Sequence, residues 1–172
     1  MGNKELTTAQ ALKFARHDFL NELQLILLYI DLDKLPEARQ KIMDTTEQMR
    51  QIAMLERLGM PAVETWLAEF NWLYVSYSTT LTSTIISGKR EAEDESVVAY
   101  LENVFSVGEK TLDPTSEYKT EIDVQANLTG WSITINVQGN MEHRVPAPKA
   151  TGNFTVHETI LHNQWTFTIS GQ

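Results

Sequence analysis

The segment from Thr8 to Asp31 constrains this chain more than any other. Each helical residue advances about 100° around the axis. Measured from His17, the large side chains Phe19, Leu23, Ile26 and Ile30 fall at roughly 180–240°, with Leu12 at about 220°. Gln10, Lys13, Asn21 and Gln24 lie within about 40° of His17. The spacing predicts a helix over 8–31, with Thr7 or Thr8 as its N-cap. It buries one stripe and presents His17 to water among hydrogen-bonding groups. An exposed imidazole on a rigid helix is a candidate nucleophile toward a phosphoryl group. A surface histidine without chemistry fits the same wheel, so the neighbours matter: Asp18, Asn21 and Gln24 can orient the ring or meet phosphate oxygens.

A break at Leu32-Asp33-Lys34-Leu35 follows, and Pro36 suits the first turn of a second helix. That helix places Ala38, Ile42, Thr45, Met49 and Ile52 on one stripe, continues through Leu55 and Leu58, and ends at Gly59 and Pro61. Two helices cannot enclose a core, because each apolar stripe is only partly covered by one partner. A second copy of the hairpin completes a dimeric four-helix bundle; packing on the chain's own C-terminal half is the competing solution.

The second half changes character. Pro61 to Trp72 reads as a short helix with Val63, Trp66, Leu67 and Phe70 inward. Tyr74 to Ile86 is rich in β-branched and aromatic residues and reads as a strand. Glu91 to Leu112 reads as a helix, with Val97, Val98, Leu101, Val104 and Phe105 inward. Its acidic start, Glu91, Glu93, Asp94 and Glu95, suits the positive end of a helix. Tyr118–Asn127 and Trp131–Gln138 alternate with period two around a Thr129-Gly130 turn. Phe154–Leu161 and Trp165–Ser170 supply a last pair of strands. The fold class is α+β: a helical hairpin over 1–60, then an α/β sandwich over 61–172 with helices on one face of a sheet.

Composition excludes several functions. The 172 residues carry a net charge of −9, and the pI is about 4.9. No Lys/Arg cluster is dense enough to neutralise a nucleic-acid backbone. The absence of cysteine removes disulfides and thiolate metal sites and fits a reducing, cytoplasmic setting. Met1-Gly2-Asn3-Lys4-Glu5-Leu6 lacks a signal pattern, and Leu25–Ile30 is too short to span a membrane.

Arg16-His17-Asp18-x-x-Asn21-x-Leu23-Gln24-Leu25 resembles the phosphoacceptor box of the sporulation initiation phosphotransferase B family. A related box occurs in sensor histidine kinases of the citrate and dicarboxylate type. Glu69-Phe70-Asn71-Trp72, the strand after it, the long helix and the late hairpin are similar in order to that family's C-terminal half. The resemblance implies a homodimeric bundle and a phosphoryl group passing from the aspartate of one response regulator to His17 and on to the aspartate of a second. It implies that the regulators hold the divalent metal, expected to be Mg, while this chain binds no cofactor and no metal. Asp18 would hold the ring's tautomer or favour its cationic form. Asn21 and Gln24 would make polar contacts beside the reaction. Arg16, about 100° from His17, would reach a phosphate only by curling around the helix. Lys13, Leu20 and Leu28 border the same side and are candidates for docking the regulator.

Histidine-kinase ATP-binding domains share the element order of residues 61–172, so ATP chemistry must be weighed. Glu102-Asn103 begins the expected Asn-bearing helix motif, but Val107 stands where a second Asn is expected. There is no Asp-x-Gly-x-Gly, no Walker-type loop, and Gly130 and Gly139 are isolated; Gly139-Asn140 most simply makes a turn. The expectation is a degenerate relative of the ATPase domain. The alternatives are an ATP-using sensor-kinase core, a module that binds a regulator without carrying phosphate, and a purely structural dimer. His143, His157 and His162 lack a second ligand at metal spacing. Met43, Met49, Met54 and Met60 read as packing residues, and the tryptophans as core anchors.

Overall fold

The computed structural model describes residues 6–86, 88, 90, 94–113, 115–141, 148–150 and 152–172. The chain divides into two compact units, 1–51 and 52–172.

The first unit is a helical hairpin. Helix α1 (Thr8–Asp31) starts at a capping box in which Thr7 accepts from the Gln10 N–H and the Gln10 side chain accepts from the Thr7 N–H. Two of the otherwise orphaned first-turn donors are thereby satisfied. Gln10, expected beside His17, is thus spent on the cap. The chain reverses at Leu32–Lys34, where Asp33 takes a φ of 55° and the Lys34 N–H donates to Tyr29 O. Helix α2 (Leu35–Met54) then runs back, and its last turn tightens into a 3-10 segment, Leu55–Arg57.

The stripe that α1 turns toward α2 differs from the expected one. Its half-buried residues are Ala11, Glu22, Leu25, Ile26 and Tyr29, centred about 120° from His17. Leu12, Phe19, Leu23 and Ile30 lie further round and are 63%, 47%, 46% and 45% exposed. On α2, Ala38 is buried while Ile42, Met49 and Ile52 stay exposed. A helix with one neighbour buries only the arc that neighbour can reach, so the second apolar arc remains open.

The second unit is two-layered. Helix α3 (Pro61–Leu73) buries Val63, Trp66, Leu67 and Phe70, as the periodicity required. Strand β1 (Tyr77–Ile85) starts later than expected. Tyr74 instead closes α3, its N–H donating to Phe70 O, and its ring goes into the core. Burial pushes the Tyr74 phenol up to about 12. Helix α4 (Asp94–Thr111) buries Val97, Tyr100, Leu101, Val104, Phe105 and Gly108, and Val98 is partly buried against the same core. The expected start of this helix at 91–93 lies outside the described residues. Asp94 caps a different helix from its own: its carboxylate accepts from the N–H groups of Ala62 and Val63 at the start of α3.

Strands β2 (Tyr118–Ala126), β3 (Trp131–Gln138), β4 (Thr155–Ile160) and β5 (Gln164–Gly171) complete a sheet in the order β1-β2-β3-β5-β4. The β1–β2 pair is parallel, with α4 in the crossover, and the other pairs are antiparallel. Asn127 builds the β2–β3 turn, its side-chain oxygen accepting from the N–H groups of Thr129 and Gly130. Every second residue of β2, β3 and β5 is buried. The inner side meets an aromatic cluster: Phe105 has its ring centroid 4.8 Å from Phe70, 5.7 Å from Trp165 and 6.0 Å from Phe167. Leu55, Leu58 and Met60 belong to this second core.

Candidate functional site

The residues gathered around His17 all belong to α1, so helix geometry alone sets their spacing. The His17 side chain is 69% exposed and that of Asp18 55%. His17 Nδ1 lies 3.4 Å from Asp18 Oδ1 and 3.2 Å from Asn21 Nδ2. Both neighbours converge on the same ring nitrogen and ask opposite things of it. The carboxylate needs Nδ1–H as donor, while the amide N–H needs Nδ1 as acceptor. Turning the Asn21 amide through 180° presents its oxygen instead, and both groups then accept from Nδ1–H. Among the described residues, Nε2 has no partner. An imidazole held at Nδ1–H keeps its lone pair on Nε2, pointed at solvent.

Gln24, Arg16, Lys13, Leu20 and Leu28 are all exposed. Leu20 and Leu28 are each 50% exposed. Of the expected residues, the structure links His17, Asp18 and Asn21 through side-chain contacts; the others flank them along α1.

A group outside the sequence reading ties the hairpin together. Lys41 Nζ lies 2.6 Å from Glu22 Oε2, and the Thr45 hydroxyl donates to the same oxygen at 2.8 Å. The hydrogen bond from Lys41 holds the Glu22 carboxyl below its usual range. This polar layer fixes the axial register of α1 on α2. The helix period does place Glu22 about 140° from His17, but only the pairing of the two helices reveals Lys41 and Thr45 as its partners.

Of the residues weighed for nucleotide binding, Asn103 is exposed and Val107 half-buried. A Cβ on Gly139 would fall inside the contact distance of the Tyr118 ring, and one on Gly152 would lie 2.7 Å from Phe154 Cε1. At both glycines an aromatic ring occupies the space a side chain would take. His157 and His162 are exposed on β4 and in the β4–β5 turn, and His143 lies outside the described residues. No group of three or more metal-ligating side chains occurs among the described residues. Trp66, Trp131 and Trp165 are core residues, as is Met60, whereas Met43 and Met49 are about half exposed. Among the described residues no helix is long and apolar enough to cross a membrane.

Residues 3–58 match the α-helical domain of the SpoOB-type sensor kinases. No curated protein matches the chain in sequence. Among solved structures, the histidine kinase AdeS of Acinetobacter baumannii is 13% identical, with 91% of this chain and 97% of that one covered at a TM-score of 0.44. A histidine kinase from Burkholderia phymatum STM815 is 12% identical, covering 95% and 94% at a TM-score of 0.44. The catalytic domain of the histidine kinase ThkA is 10% identical, covering 66% and 90% at a TM-score of 0.46. At these identities the likenesses say nothing of chemistry. The family match covers the helical hairpin that carries His17, and over residues 3–58 the chain is similar to the α-helical domain of the SpoOB-type sensor kinases.

Proposed function

We propose that this protein is a cytoplasmic phosphorelay phosphotransferase of sporulation initiation, working as a homodimer. It takes a phosphoryl group from the aspartate of one response regulator onto His17 and delivers it to the aspartate of a second. The observation that carries this reading is the His17 ring itself: exposed on a rigid helix, engaged at Nδ1 and open at Nε2.

The chemistry is balanced without a cofactor on this chain. The Nε2 lone pair attacks the phosphorus of the aspartyl phosphate in line. The Nε2–P bond forms, the P–O bond to the aspartate breaks, and the carboxylate leaves with the electron pair. The ring gains positive charge as it is phosphorylated, and Asp18, 3.4 Å from Nδ1, stabilises it. In the second transfer the acceptor carboxylate attacks phosphorus and Nε2 recovers its lone pair. Alignment is the main contribution of the fold, since phosphoryl transfer depends on positioning and charge stabilisation. Magnesium resides in the regulators' acidic pockets, and Lys13, Leu20, Leu28, Arg16 and Gln24 form the docking surround. The open arc of Leu12, Phe19, Leu23 and Ile30 is covered by a second hairpin. The aromatic filling around Gly139 and Gly152 supports a reading without ATP.

The test is a labelling experiment with phosphorylated regulator beside ATP alone. Acid-labile label on the chain only with the regulator, lost in His17→Ala while the dimer persists, is the expected result. Labelling by ATP alone would make the protein a kinase. A bound regulator that never labels it would make it a sequestering module.

A further inference from the structure

The sheet has two edges, and they are treated differently. Strand β4 is six residues long and carries His157 and Glu158. Strand β1 is nine residues long and carries no charge at all, and the chain from Phe70 to Gly88 contains no Asp, Glu, Lys or Arg. Sheet edges are ordinarily protected by charges, prolines, bulges or short length, because their open main-chain groups template the pairing of another strand. β1 has neither charge nor proline nor short length.

Main-chain direction shows which groups are open. The Tyr118 N–H donates to Ser76 O and the Ile86 N–H donates to Ala126 O. Even-numbered residues of β1 therefore face β2, and odd-numbered ones face outward. At the N-terminal end the outward groups are used locally: the Tyr77 N–H donates to Tyr74 O, and Tyr77 O accepts from the Thr79 hydroxyl. Among the described residues, the main-chain groups of Thr79, Leu81 and Ile85 have no partner on the outward side. The middle of the strand is also accessible: Ser78, Thr80, Thr82 and Thr84 are exposed, and Leu81 is only partly buried although it points to the helix side.

We propose that the outer edge of β1 pairs with β1 of a second copy of this chain, antiparallel about a two-fold axis through Leu81. The register is self-complementary. Leu81 meets Leu81, so the two exchange both hydrogen bonds and cover the exposed part of each side chain. Thr80 of one copy faces Thr82 of the other and Ser78 faces Thr84; hydroxyl pairs are favourable cross-strand neighbours. Charge favours the same occupant. Two copies of a chain at −9 repel wherever acidic surface meets, and an uncharged edge is where they approach at least cost. A strand pair of this length spans only about 24 Å, less than a standard interface, so it reinforces another contact between copies. The pairing is independent of His17 chemistry.

The chain has no cysteine, so Leu81→Cys introduces a unique thiol. Hydrogen-bonded antiparallel partners stand about 5.5 Å apart at Cα, within disulfide range. Mild oxidation of the full chain should cross-link Leu81→Cys about tenfold faster than Thr159→Cys on the β4 edge, and adding Thr80→Lys with Thr82→Lys should remove the difference by like-charge repulsion. Equal rates for the two cysteines, or indifference to the lysines, would overturn the pairing. Amide exchange on the unmodified chain gives a second measurement: protection at Leu81 should rise with protein concentration. Protection that ignores concentration, or that requires an added response regulator, would assign the edge elsewhere.

Discussion

The open arc of α1 makes a quantitative prediction through Leu23. Leu23 is 46% exposed in the single chain. Full burial of a leucine side chain is worth about 1.5–3 kcal/mol, so covering the remaining half contributes about 1 kcal/mol per copy. Leu23→Ala forfeits most of that in both copies, about 2 kcal/mol per dimer. At 1.4 kcal/mol per decade, the dimer should dissociate about 30-fold more readily. Leu23→Glu places a carboxylate in the same contact in each copy, and desolvation should then leave monomer across the accessible concentration range. Leu28→Ala is the control, since Leu28 is equally apolar and 50% exposed but lies about 20° from His17. Sedimentation equilibrium measures all three constants. Equal weakening by Leu23→Ala and Leu28→Ala, or no weakening by either, would refute the placement of the second hairpin on the Leu12–Phe19–Leu23–Ile30 side.

Three further outcomes are expected. Glu22 is held below its ordinary 4.5 chiefly by the hydrogen bond from Lys41, so its contribution is complete above about 4.5 and is lost as pH falls through the depressed value; Glu22→Gln should lower the melting temperature at neutral pH, and the gap to the wild type should close in acid. Asp94→Ala removes two charge-assisted bonds to the start of α3 and should cost about 1.5–3 kcal/mol, read as a lower thermal midpoint for the second unit. Gly139→Ala drives a methyl into the Tyr118 ring and should destabilise by about 1–3 kcal/mol; an unchanged midpoint would mean that packing does not require this glycine.

Much of the fold was legible because it rests on local periodicity. The 3.6-residue repeat gave α1 its 8–31 bounds, and it named all four residues that α3 buries. Alternation marked β3 to the residue. Misreadings arose where one side chain answers to two elements. Tyr74 has the propensity of a strand residue but terminates α3, because its ring is claimed by Trp66, Phe70 and Phe105. Asp94 sits in an acidic run that suits its own helix, yet its carboxylate caps another. The His17–Asp18–Asn21 cluster was visible because it is one turn of one helix. The Glu22–Lys41–Thr45 layer was not, because its register depends on how the two helices meet.

The α1 wheel divides into three arcs, and their separation bears on mechanism. About 120° from His17 lies the side committed to α2, and at about 220–240° the apolar side left open. His17 stands opposite the bisector of these two arcs. A helix in a four-helix bundle contacts two neighbours and keeps one side free, so covering both apolar arcs leaves His17 on the outermost line of the bundle. Substitutions should therefore sort by angle: those near 120° melt the hairpin, those near 230° dissociate the dimer, and those near 0° alter transfer alone. A substitution at Asn21, about 40° from His17, that slowed transfer without moving either the melting temperature or the dimer constant would place the ring's Nδ1 partner in the chemistry and outside the scaffold.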